Sequence, residues 1–149
     1  MAKDTPGSSS SMGYALAEGI YNVHGSLQRS VSAVLRELEL TEALADLVWQ
    51  LDPANGPRSR RALALALHCD PSNVTLLVDR LEALGLVESC PDSNDRRMKA
   101  IALTPRGRQA RDRLVATTAD SPTFAKLTEK ERRQLARLLA RCADDRKSP

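Results

Sequence analysis

Short polar side chains and a pair of arginines lie close together between residues 70 and 104. Ser72, Asn73 and Thr75 fall in the first turns of a predicted helix, and Arg96 and Arg97 fall between two predicted strands. Polar side chains on the first turns of a helix can hydrogen-bond to base edges in the major groove of DNA. Arginines on a neighbouring loop can contact phosphates or the minor groove. Each feature alone is more often a solvated surface, but the two in this order favour a DNA-binding element.

The helix that carries these polar residues has recognisable ends. Asp70 is predicted to cap its first turn with the side-chain carboxylate, and Pro71 suits the first helical position. Gly85 can adopt the left-handed conformation that ends a helix. Apolar residues recur at spacings of three and four and predict one buried face: Val74, Leu77, Val78, Leu81 and Leu84.

A short hairpin is predicted to follow this helix. Residues 86–88 and 100–103 read as its strands, and residues 91–94 are typical of a turn. Asp95 is assigned a structural role in the hairpin, because a carboxylate that faces DNA would be repelled. Arg80, on the helix, could contact a phosphate or pair with Asp95. Thr104 and Pro105 repeat the cap-and-proline signal of a new helix.

This stretch resembles the winged helix-turn-helix of the MarR (multiple-antibiotic-resistance regulator) family. The matching segments are Asp70–Ser72, Val78–Glu82, Gly85–Val87, Asp92, Asp95–Arg97 and Leu103–Gly107. The resemblance implies a mainly helical α+β fold, in which N- and C-terminal dimerisation helices flank the winged helix-turn-helix. It also implies a transcription regulator, most commonly a repressor, that binds double-stranded DNA as a homodimer.

The resemblance also assigns roles to individual residues. It places Arg97 in the minor groove and leaves Arg96 as a phosphate contact or an unengaged arginine. It implies a very short third strand at Arg58 and Ser59. We expect the remaining phosphate contacts among residues near the predicted DNA-binding helix and hairpin: Arg58, Arg60, Arg61 and Lys99.

The domain organisation follows from helical periodicity and from the resemblance. We predict a disordered tail at 1–11, an N-terminal dimerisation helix at 12–40, and a DNA-binding lobe at 41–105. The C-terminal dimerisation helices follow at 106–143, with a second tail at 144–149. Thr128 and Glu131 form a capping-box pattern for the last helix. His68 replaces a glycine that is usual in the family, so we expect it to have a positive φ.

A two-fold dimer is expected to bind a pseudo-palindromic operator with half-sites about 10 bp apart. The resemblance also implies release from DNA by a small ligand or by oxidation, and a possible ligand is a small aromatic or phenolic compound. By resemblance, the ligand-binding candidates are Tyr14, Tyr21, His24, Arg29 and Trp49, although aromatic residues at such positions are more often core residues.

Two alternatives to a repressor that is released by a ligand stay open. In a thiol-oxidation mechanism Cys69 and Cys90 are the candidates, because they lie just before the predicted DNA-binding helix and the hairpin tip. Buried, unreactive thiols are the more common case. The other alternative is a winged helix that serves as a protein-interaction module without specific DNA binding.

The charge distribution favours DNA binding. The 149 residues carry a net charge of +3, with a net of −4 in residues 1–57, +4 in 58–113 and +3 in 114–149. Three scattered cysteines and two histidines predict neither a disulfide framework nor a metal site. No motif of an enzyme or cofactor site was found. The absence of a signal sequence or an apolar span predicts a cytoplasmic protein without membrane contact.

Overall fold

The computed structural model describes residues 8–92 and 99–143 of the chain. The helices in these residues are α1 (Ser8–Glu37), α2 (Glu42–Gln50), α3 (Arg60–Ala66), α4 (Pro71–Ala83), α5 (Pro105–Ala119), α6 (Pro122–Ala125) and α7 (Glu129–Ala143). A one-turn 3-10 helix spans Pro53–Asn55. The strands are β1 (Arg58–Ser59), β2 (Val87–Pro91) and β3 (Lys99–Leu103). This mainly helical chain with a small sheet confirms the predicted fold class.

The chain divides into two compact units, residues 31–118 and residues 1–30 with 119–149. The unit of residues 31–118 contains a continuous hydrophobic core. The core draws side chains from every α-helix and both longer strands of that unit, including Leu47, Leu63, Val78, Leu81 and Ile101, which are fully buried. Burial of each such side chain stabilises the fold by about 1.5–3 kcal/mol.

This unit is larger than the DNA-binding lobe predicted at 41–105. Val31 and Leu35, near the end of α1, are buried in its core, as are Ala110 and Leu114 of α5. The last turns of α1 and most of α5 therefore belong to the unit, because their apolar residues are needed to complete its core.

Helices α3 and α4 form the helix-turn-helix. Ser59 caps α3, and its hydroxyl accepts a hydrogen bond from the Ala62 amide at 3.2 Å. In the turn between the helices His68 has φ +50°, as predicted. Gly85, with φ +69°, follows the last residues of α4 and allows the chain to reverse into β2.

The predicted side-chain cap at Asp70 is wrong, although Asp70 does occupy the N-cap position of α4. Its carboxylate makes no cap hydrogen bond. Instead, its backbone carbonyl accepts from the amides of Asn73 at 3.0 Å and Val74 at 3.2 Å. The Asn73 amide, which a capping carboxylate would bind, thus donates to the backbone carbonyl of Asp70 and not to its side chain.

The sheet has the order β1-β3-β2, and both pairings are antiparallel. The predicted short strand at Arg58 and Ser59 is confirmed, and Arg58 pairs with Ile101. Val87 lies opposite Leu103 in β2 and β3, and both side chains are buried. Because this end of the hairpin is held in the core, the hairpin has a fixed base from which its tip extends.

In the other unit, hydroxyl groups join α1 to α6. Ser121 is buried and shares a 2.8 Å hydrogen bond with Ser30, and the Thr123 hydroxyl donates to that of Ser26 at 2.9 Å. The predicted capping box at α7 is confirmed, since the Thr128 amide and hydroxyl both donate to Glu131. These bonds, the backbone one first, hold the pKa of the Glu131 carboxyl below its ordinary value.

Helix α1 begins earlier than predicted, at Ser8 rather than near residue 12. Pro6 and Gly7 are strong helix breakers, whereas serine is only mildly unfavourable in a helix. The predicted tail at 1–11 is therefore wrong for residues 8–11, and its residues 1–7 lie outside the described part of the chain, as does the predicted tail at 144–149. None of the helices described here has the length and apolar character that crossing a membrane requires.

Candidate DNA interface

Helix α4 has one exposed face, and its opposite side is packed in the hydrophobic core. Val74, Val78 and Leu81 are fully buried on its inner side. On the outer side Ser72 and Asn73 are exposed in the first turn, as predicted. Their side chains carry hydrogen-bond donors and acceptors. Because the inner side is packed into a core, the helix backbone that carries these two side chains has a fixed position in the fold.

Thr75 differs from the other two polar candidates on α4. It is half-buried, and its hydroxyl donates to the Pro71 carbonyl at 3.1 Å. A hydroxyl has one hydrogen to donate and two acceptor lone pairs. In this arrangement the Thr75 hydroxyl can accept a hydrogen bond from a partner but cannot donate one.

A leucine on the same face was missed in the sequence analysis. Leu76 is 69% exposed. At about 100° per residue it projects between Ser72 and Arg80, roughly opposite the buried side chains of α4. A helical wheel could have found it, because it is a large apolar residue off the apolar stripe.

Several hydrogen bonds fix the C-terminal end of α4 against the hairpin and α5. The Thr104 hydroxyl donates to the Gly85 carbonyl at 2.7 Å, and the Arg106 guanidinium donates to the Leu84 carbonyl at 2.8 Å. The Ser89 hydroxyl, on β2, donates to the Glu82 carboxylate at 2.7 Å. The hairpin and α4 are therefore presented together, as a DNA-binding surface built from both requires.

Arg58 is engaged within the protein. Its guanidinium donates to the Gln50 carbonyl at 3.2 Å, the Gln50 side-chain oxygen at 3.1 Å and the Ala62 carbonyl at 3.3 Å. These bonds connect α2, β1 and α3. These bonds indicate a structural role for Arg58. Among the other phosphate candidates, Arg61, Arg80 and Lys99 are exposed and Arg60 is half-buried.

The four arginines of α5 also bond to acceptors of the same chain. Arg106 bonds to Leu84, as above, and Arg108 donates to the Leu103 carbonyl at 3.4 Å. Arg111 forms an ion pair with Asp52 at 3.2 Å, and Arg113 pairs with Glu37. Arg106 and Arg108 lie in the first turn of α5, where the helix dipole disfavours positive charge, and their bonds to backbone carbonyls offset this effect.

The tip of the hairpin lies outside the described residues. Asp95, Arg96 and Arg97 all fall in this segment of residues 93–98, so their predicted roles stay predictions. The described strands end at Pro91 and begin again at Lys99, which are paired with each other.

The ligand-binding candidates are exposed and fall in both units. Tyr14, Tyr21, His24 and Arg29 belong to the unit with the two termini, and Trp49, 43% exposed, belongs to the other. Tyr14 and Tyr21 are seven residues apart and share one side of α1. Within residues 31–118 a cavity of about 180 Å³ lies between the 3-10 helix and β3, beside Arg108.

The two redox candidates have different surroundings. Cys69 is half-buried and lines an open groove of about 450 Å³ between α3 and the start of α4. Cys90 is half-buried on β2, where its thiol donates to the Ala100 carbonyl at 3.6 Å. Both are free thiols.

The chain resembles known proteins in sequence and in fold. The model of the MarR family matches residues 40–99, which include α2 to β2. The repressor CouR bound to a 23-mer DNA duplex superposes with a TM-score of 0.71 at 27% identity, over 95% of this chain and 99% of that one. The chain belongs to the MarR family.

Two curated relatives agree with this assignment. The putative regulatory protein for the hcr operon of Thauera aromatica is 36% identical over 91 residues, which cover 59% of this chain and 55% of that protein. The transcriptional repressor IacR of Pseudomonas putida is 27% identical over 119 residues, or 78% of this chain and 71% of IacR. This MarR-family chain is a DNA-binding transcriptional regulator.

CouR from Rhodococcus jostii RHA1 is also known in complex with p-coumaroyl-CoA. That structure superposes with a TM-score of 0.71 at 26% identity, over 95% of this chain and 97% of CouR. The described helices and the three-stranded sheet of this chain are thus those of a MarR-type winged helix.

Proposed function

We propose that this MarR-family regulator is a homodimeric repressor that reads a pseudo-palindromic operator through the exposed face of α4. The observation that carries the proposal is the pairing of exposed Ser72 and Asn73 with a fully buried opposite side of the same helix. Such a helix fits the major groove, where each base pair presents a distinct pattern of donors and acceptors. The complex of CouR with DNA supports a role of this kind.

Exposed apolar residues on α1 support the homodimer. Leu16, Ile20 and Val23 lie along one side of the helix and are 61%, 54% and 39% exposed. Leu138 and Leu139 of α7 are also exposed. A row of apolar side chains on a helix is typical of a helix–helix interface. We propose that a second copy of the chain covers these residues.

Release by a small aromatic ligand is the proposed mode of regulation. CouR binds p-coumaroyl-CoA, the thioester of an aromatic acid, in a structure with the same fold. Tyr14, Tyr21, His24, Arg29 and Trp49 stay the candidate ligand contacts. A thiol-based mechanism through Cys69 or Cys90 is the alternative, and a protein-interaction role without specific DNA binding is a further one.

We propose that the arginines divide between structural and DNA-binding roles. We expect Arg58→Ala to lower the stability of the protein by about 1–2 kcal/mol, because it removes charged hydrogen bonds to three oxygens. The salt dependence of DNA binding should be unchanged. Thermal unfolding and binding titrations at several salt concentrations would measure the two effects.

Arg61→Ala is the matched control for that prediction. Arg61 is exposed on α3. Its loss should leave the unfolding temperature unchanged and reduce the slope of log affinity against log salt by about one unit per subunit. A reduced salt slope in Arg58→Ala and a loss of stability in Arg61→Ala would contradict both roles, since Arg58 would then contact DNA and Arg61 would be structural.

The arginine proposed for the minor groove is Arg97. We expect Arg97→Ala to weaken operator binding and to reduce the salt slope by about one unit per subunit, as the loss of one contact near the phosphates should. Fluorescence anisotropy at increasing salt concentrations would measure both quantities. Unchanged affinity with an unchanged slope would remove Arg97 from the interface.

Titration of the DNA that flanks the chain's own coding region, with an unrelated duplex as control, would test the function. The proposal predicts tight binding to the first duplex, two chains per site, and a large preference over the control. Addition of phenolic acids and, separately, of peroxide would then distinguish ligand release from thiol chemistry. Equal, weak binding to both duplexes would favour the protein-interaction role.

A further inference from the structure

Leu76 stands out on the exposed face of α4. It is 69% exposed, in a helix whose other large aliphatic residues are buried or half-buried. Ser72 and Asn73 lie one turn earlier on this side of the helix and Asp79 and Arg80 one turn later, and all four are exposed. Single exposed leucines are common on protein surfaces, so exposure alone carries no conclusion. The inference rests instead on the place of Leu76 between polar residues of the proposed DNA-reading face.

The floor of the major groove offers few partners for a leucine. Guanine and adenine expose N7 with O6 or an amino group, cytosine exposes an amino group, and thymine exposes a carbonyl oxygen and a methyl group. A leucine against the first three displaces water from polar edges and leaves them without a hydrogen-bond partner, which is costly. Against thymine, a methyl group of leucine can pack on the 5-methyl group of the base.

We propose that Leu76 selects thymine at one position of each half-site by contact with its 5-methyl group. This inference rests on the proposed function, since it requires α4 to lie in the major groove. It adds an apolar contact to the hydrogen bonds that Ser72 and Asn73 can make. It also explains why a large apolar side chain lies on a face that is otherwise polar or charged.

Removal of single thymine methyl groups tests the inference. The full-length protein would first select its binding site from a pool of duplexes with a randomised centre. Each thymine of the selected site would then be replaced by uracil, which removes only the methyl group. We expect uracil at one symmetric pair of positions to weaken binding by about fourfold per half-site, or about 15-fold for the pair.

The decisive comparison is with Leu76→Ala. This exposed position should tolerate alanine without loss of folding, which thermal unfolding checks. The variant should bind the selected site more weakly and should show no penalty for uracil at the sensitive pair. Leu65→Ala, which removes a leucine that is 71% exposed on α3, is the matched control and should retain the penalty.

The outcomes separate this inference from the function on which it rests. A selected site with equal uracil penalties in the original protein and in Leu76→Ala would overturn the role of Leu76 and leave the reading of DNA by α4 standing. A pool that yields no preferred sequence would overturn both. A penalty that disappears in Leu65→Ala as well would assign the methyl contact to a wider surface and contradict the role given to Leu76.

Discussion

Replacement of Gly107 by alanine is expected to destabilise the protein by about 3 kcal/mol or more. A Cβ at this position would lie 1.8 Å from the Leu86 carbonyl oxygen and 2.9 Å from the Leu86 carbonyl carbon. Both contacts are with backbone, so no side-chain rotation can relieve them. The start of α5 would have to move away from the chain reversal that follows α4.

The loss should extend to DNA binding, because the same junction holds the hairpin. The Leu86 carbonyl accepts from the Thr104 amide at 3.1 Å, and Thr104 also bonds to Gly85. Chemical denaturation followed by circular dichroism would give the change in the free energy of unfolding. Gly13→Ala is the control, since nothing lies within 4 Å of its Cβ and alanine favours a helix by about 0.5–1 kcal/mol. Equal stabilities of the two variants would contradict the close approach of α5 to Leu86.

We expect the second large effect from Asn73→Ala, in DNA binding. An asparagine side chain can hydrogen-bond to one base through both its donor and its acceptor, and each such contact discriminates by about 1–3 kcal/mol. A dimer uses the residue twice. The affinity for the operator should therefore fall by about 30-fold or more, while the affinity for unrelated DNA stays nearly unchanged.

Competition titrations with operator and unrelated duplexes would measure this loss of specificity. Asn55→Ala is the matched control, because Asn55 is an exposed asparagine in the 3-10 helix, outside α4. It should bind both duplexes as the original protein does. An equal loss on the two duplexes in Asn73→Ala would mean that Asn73 contacts the phosphate backbone and reads no base.

Much of the fold could be predicted because its signals are local. The left-handed residues His68 and Gly85, the short strand at Arg58 and the capping box at Thr128 all follow from neighbouring residues or from the family motif. The predicted N-terminal tail extended to residue 11, whereas α1 begins at Ser8, because serine is only mildly unfavourable in a helix. Asp70 has the residue type of a side-chain cap, but the Asn73 amide that its carboxylate could bind donates to its backbone carbonyl instead.

Features that depend on contacts between distant residues could not be read from the sequence. Arg58 is a phosphate candidate by its place near the predicted DNA-binding helix, and only the fold shows that its guanidinium donates to Gln50 and Ala62. Gly107 was visible as part of a family motif, but its reason, the approach to Leu86, joins segments 21 residues apart. Leu76 was not predicted as a functional residue, because only polar and charged side chains were considered as DNA contacts.

The central claim, that the exposed face of α4 reads DNA sequence, is tested most directly by site selection with two proteins. The original chain and a variant with alanine at Ser72, Asn73 and Leu76 would each select from the same randomised duplex pool. We predict that the original chain enriches an inverted repeat with half-sites about 10 bp apart, and that the variant binds the pool in a salt-dependent way without enriching a sequence. Enrichment of the same inverted repeat by both proteins would contradict the claim.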